Sequence, residues 1–102
     1  MESKIVRKML LGFIQIHILH HADMEPIYGV WMIDELNRHG YSLSAGTIYP
    51  ILHSLESEGL LDCENRLVEG KIRKYYRLTD QGRTVLAEAR EKAYELFREM
   101  RD

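Results

Sequence analysis

The chain has 102 residues, 45% hydrophobic and 29% charged, and its 14 Lys and Arg against 16 Asp and Glu leave a net charge of −2. That length fits one small domain, or a domain with an appendage, and the mixture is ordinary for a soluble globular chain. The sign of the balance excludes attraction to nucleic acid by bulk charge. The single cysteine, Cys63, excludes an intramolecular disulfide framework and a cysteine zinc site.

Residues 4 to about 22 predict a first helix. Ile5, Met9, Phe13 and Ile16 mark one face, and Leu10, Leu11, Ile14, Ile18 and Leu19 widen it until the helix is apolar nearly all round. Such a helix is buried on more than one side, so part of it is expected to meet a partner subunit. Basic residues ahead of this run give it a signal-peptide look. No small-residue cleavage site follows, however, Gln15, His17, His20 and His21 interrupt it, and it is too short to span a bilayer. A cytoplasmic protein with no membrane contact is expected. Asp23 to Pro26 reads as a connection, and a second helix is predicted from about Tyr28 to His39, with Val30, Ile33 and Leu36 inward and Trp31 packed in the core.

Gly40-Tyr41-Ser42 breaks that pattern, and a third helix spans residues 44–57. Ile48, Ile51, Leu52 and Leu55 give it one apolar face, at i, i+3, i+4 and i+7. The opposite face carries Gly46, Thr47, Tyr49, Pro50 and His53 and no acid, while Gly59 supplies a stop. An acid-free helix N-terminus suits phosphate. Helix, short turn, helix is the layout of a helix-turn-helix, with this third helix the one to be inserted. Its start stays open: Ser44 as N-cap places Pro50 inside the helix, whereas Thr47 as N-cap places Pro50 in the first turn.

The stretch after it alternates as strands do. Leu61 and Cys63 alternate with Asp62 and Glu64, and Ile72, Tyr76 and Leu78 are predicted to face the core, with Lys71, Arg73, Tyr75 and Arg77 outward. Val68-Glu69-Gly70 is the expected loop of the hairpin. Between Arg66 and Arg83 the chain places Arg66, Lys71, Arg73, Lys74, Arg77 and Arg83 against only Glu69 and Asp80. Directly behind a candidate recognition helix, this basic face reads as a wing for the DNA backbone, fixing register without reading sequence. Thr79 then caps a last helix, where Leu86, Ala89, Ala93, Leu96 and Met100 recur at intervals of three and four, broadened by Tyr94 and Phe97. That helix is too long for the small core to cover, and dimerisation through Leu86, Ala89, Ala93, Leu96, Phe97 and Met100 is expected, with docking back onto the chain's own first helix as the alternative.

Taken together, Tyr28-Gly29, the run from Leu43 to Pro50, Leu55-Glu56-Ser57-Glu58-Gly59-Leu60 and the run from Gly70 to Thr79 resemble the PadR-like transcriptional regulators. The match covers about Leu10 to Gly82. The resemblance implies a mainly helical fold with a small β-hairpin, a winged helix-turn-helix over residues 1–79, and a dimerisation helix over residues 80–102. It also implies a homodimer built by the first and last helices. That dimer would repress transcription from a double-stranded DNA operator and be released by a small aromatic or hydrophobic effector. By the family pattern Ser44, Gly46, Thr47, Tyr49 and Pro50 meet DNA, with Lys71, Arg73 and Lys74 on the wing. The single last helix resembles the short subfamily. Some short members stack aromatic effectors on a tryptophan in that helix, and here it holds only Tyr94 and Phe97, which argues against that kind of binding.

Three rivals stand beside this reading. His17 and His21 lie one helical turn apart with His20 between them, a metal-chelating spacing that Asp23 or Glu25 would have to complete. The expectation is instead solvated or interface histidines, with no metal and no cofactor. An enzyme lacks a phosphate loop or nucleophile motif to work with. A winged helix used for protein contacts keeps the same fold.

Overall fold

The computed structural model describes residues 3–101, in which α1 (Lys4–Met24), α2 (Gly29–Arg38), α3 (Ala45–Ser57), β1 (Leu61–Val68), β2 (Lys71–Leu78) and α4 (Asp80–Arg101) follow in order. The core gathers Ile14, Ile18 and Leu19 of α1, Met32 and Leu36 of α2, and Ile48, Leu52 and Leu55 of α3. Leu61, Tyr76 and Leu78 from the hairpin and Leu86 of α4 join it, with Ala22, Ile27 and Leu60. The mainly helical architecture with one antiparallel hairpin is the predicted one. Among the described residues no helix is long and apolar enough to cross a membrane.

Two helix ends share one device. At the end of α2 the Tyr41 N–H donates to the Leu36 carbonyl and the Gly40 N–H to the Asn37 carbonyl. At the end of α3 the Leu60 N–H donates to Leu55 and the Gly59 N–H to Glu56. Both are Schellman closures, and they need φ values of 94° at Gly40 and 80° at Gly59 that side chains resist. The sequence stops were therefore placed by glycine, as predicted. Asn37 adds a clamp on the turn itself: its side-chain oxygen accepts from the Leu43 N–H at 2.9 Å and its amide donates to the Leu43 carbonyl.

The hairpin departs from expectation in two ways. Val68 belongs to β1, so the turn is only Glu69-Gly70, both at positive φ, the two-residue connection whose twist suits paired strands. Ile72 does not face the core: it is 72% exposed, as is its cross-strand partner Leu67 at 76%. The alternation is right, but the outer half of the hairpin extends past the helices, so that face has nothing to cover it. At the base, Ile27 pairs with Tyr76 through two backbone hydrogen bonds of 2.7 and 2.8 Å, adding a bridge from the α1–α2 connection.

Candidate nucleic-acid interface

Ser44 is the N-cap of α3, with its carbonyl accepting from the Thr47 and Ile48 N–H groups at 3.1 Å. Pro50 consequently lies inside the helix, where it removes the hydrogen bond to Gly46. Gly46 is exposed, so water can take the freed carbonyl. Ser44 makes no side-chain cap and the first turn holds no acid, which leaves the positive end of α3 unneutralised. Ile48, Leu52 and Leu55 are buried, Ile51 half-buried, and Ala45, Gly46, Pro50 and His53 face outward.

Tyr49 is half-buried because its ring lies over Gly29, the first residue of α2. A Cβ there would come within 2.5 Å of the Tyr49 ring, so the glycine makes room for the aromatic. The same ring lines a groove of about 450 Å³ together with Tyr28, Lys71, Arg73 and Lys74. One concave strip thus joins the third helix to the wing. Thr47 lies elsewhere, in a groove shared with Arg7, Leu10 and Tyr41 on the α1 side, and Ser44, Gly46 and Pro50 sit on the exposed surface of the helix.

The wing carries an arrangement that alternation could not reveal. The Arg73 guanidinium sits 4.1 Å above the Tyr28 ring and that of Arg66 4.4 Å above the Tyr75 ring, while the two tyrosines meet edge-on at 5.3 Å. Each cation is braced on a ring face yet keeps donors for a ligand. Tyr75 beside Arg73 raises the guanidinium's pKa further. Glu64 partly neutralises this face through Arg66 at 3.0 Å and Arg77 at 3.8 Å, whereas Lys71 and Lys74 are exposed. Strand alternation carries no sign that Tyr28, at the start of α2, supports the wing. Burial pushes the Cys63 thiol up, the opposite of an activated nucleophile.

Of the six residues named for dimerisation, Leu86 is buried in this chain's own core and Ala89 is half-buried; Ala93, Leu96, Phe97 and Met100 are exposed. Asp23 does not join a histidine cluster: it pairs with Arg83 of α4 at 3.3 Å.

Comparison with known proteins agrees with this geometry. The profile of the transcriptional regulator PadR-like family matches residues 18–88. A curated transcriptional regulator of Mycobacterium tuberculosis is 46% identical over 95 residues, covering 93% of this chain and 89% of that protein. A PadR-family regulator structure from Eggerthella lenta aligns with a TM-score of 0.78 at 36% identity, over 94% of this chain and 88% of the other. A PadR-like regulator structure from Bacillus cereus gives 0.83 at 32%, over 91% and 92%. The chain belongs to the PadR-like family of transcriptional regulators, DNA-binding proteins rather than enzymes.

Proposed function

We propose that the chain is a homodimeric repressor that binds a two-fold symmetric operator, with residues 1–79 meeting DNA and residues 80–102 pairing two copies. The observation that carries the reading is the groove joining Tyr49 to Lys71, Arg73 and Lys74. In this reading α3 enters the major groove. Ser44, Gly46, Thr47, Tyr49 and Pro50 stand nearest the duplex, and the wing cations hold phosphates. Pairing is supported by apolar side chains left exposed on α1 (Ile5, Met9, Phe13) and α4 (Leu96, Phe97, Met100). Release by a small aromatic or hydrophobic molecule is supported by a cavity of about 250 Å³ between α1 and α4, lined by Phe13, Ile16, Leu86 and Ala93 together with His17, His20 and Arg90.

A gel-shift series with Arg73→Ala and Lys74→Ala tests the DNA reading. Each variant should weaken binding to every duplex alike and reduce the salt-dependence slope by about one. Wild-type affinity at low salt in both variants would overturn it.

A further inference from the structure

We infer that His21, Glu35 and His39 form a binding site for a divalent transition-metal ion of the zinc type, clipping the end of α1 to the end of α2. One donor atom from each of these residues lies within 4.8 Å of the other two. The His39 Nε2 is 3.0 Å and the His21 Nε2 3.6 Å from the same Glu35 oxygen, Oε2. Ligands at zinc distances of about 2.0–2.1 Å in tetrahedral geometry stand roughly 3.3 Å apart. Two of the three separations bracket that figure, the third lies within 4.8 Å, and the half-exposed His39 side chain is free to adjust it.

The chemistry selects the class of ion. Two imidazoles and one carboxylate suit zinc, nickel, cobalt or copper and are wrong for magnesium or calcium, which take oxygen. The carboxylate is prepared for the role. Glu35 is the buried charged residue of this core edge, and its other oxygen, Oε1, is held by Arg38. That contact orients the group as outer partners orient metal ligands, leaving Oε2 to the two histidines. Metal binding takes the ionised carboxylate and the neutral imidazole, so affinity is expected to fall as pH is lowered. Three protein ligands leave a fourth position for water.

The placement also explains why spacing along α1 was a poor guide. His17 and His21 are one turn apart, but Asp23 is engaged by Arg83, and the partners that complete the set come from α2. His17 stacks on His39 with ring centroids 5.4 Å apart and walls one side.

Titrating the DNA-free protein with zinc chloride in a non-chelating buffer, by calorimetry and thermal melting, tests the site. We expect one ion per chain, a melting temperature raised by zinc and restored by EDTA, and no response to magnesium. His39→Ala should lose at least tenfold in affinity while still melting cooperatively without zinc, His21→Ala should lose as much, and His20→Ala should bind as wild type. No heat and no melting shift with zinc, or undiminished binding in His39→Ala, would overturn the proposal.

Discussion

Tyr76 combines the best and the worst placement in the core. Its ring is 1% exposed, while its hydroxyl is buried without a hydrogen-bond partner among the described residues. Cys63, paired with it across the hairpin, offers only a weak sulfur acceptor. Burial pushes the phenol up to about 12, so it stays neutral at any ordinary pH. An unsatisfied buried hydroxyl costs more than it returns. Tyr76→Phe is therefore expected to stabilise the fold by about 1 kcal/mol, read in a thermal melt as a rise of roughly 4–8 °C for a chain of this size. A fall in melting temperature would mean that the hydroxyl is satisfied. Tyr76 was legible as a core residue from alternation alone. Its orphaned oxygen was not, because satisfaction depends on neighbours from other elements.

At the level of elements, what could be read was whatever the local backbone decides. Gly40 and Gly59 end helices by a rule that acts over six residues, and Thr79 caps α4 by accepting from the Gly82 N–H at 2.9 Å. The start of α3 could not be chosen from sequence, since proline tolerates the first turn and Ser44 and Thr47 are both good caps. Ile72 was misplaced for a different reason: period-two alternation names a face but does not say how far along the strand the core reaches. The Ile27 bridge and the Tyr28–Arg73 contact were invisible because their partners lie more than forty residues apart. The junction of α3, the hairpin and α4 leaves no room at Gly82. A Cβ on Gly82 would come within 2.3 Å of the Leu60 carbonyl oxygen and 2.5 Å of Leu78. That carbonyl accepts from the Thr79 N–H and is not free to move. Gly82→Ala should cost about 1–3 kcal/mol, despite alanine's better helix propensity. A denaturant melt reads it, and a neutral result would show that the junction gives way.

For the whole molecule, α4 divides its apolar residues between two uses. Leu86 is spent on the chain's own core at 2% exposure, while Leu96 and Met100 stand 54% and 73% exposed beyond its reach. Leaving a large apolar side chain in water forgoes about 1.5–3 kcal/mol each. Under the proposed dimer, Leu96→Glu should give a folded monomer by sedimentation at micromolar concentration, and operator binding should fall with it. Leu86→Glu should instead lower the melting temperature steeply. A dimeric Leu96→Glu protein would reject the assignment. The Ile27–Tyr76 bridge bears on the same question through entropy. A free two-stranded hairpin is marginal in water and would have to be ordered by its ligand. Here the base of the wing is stitched to the α1–α2 connection and Arg73 is braced on Tyr28 before any ligand arrives, so less of the hairpin is left to be ordered. Under the proposed contact, binding would then spend little of its free energy on arranging the protein, and the wing would meet the duplex at a height set in advance.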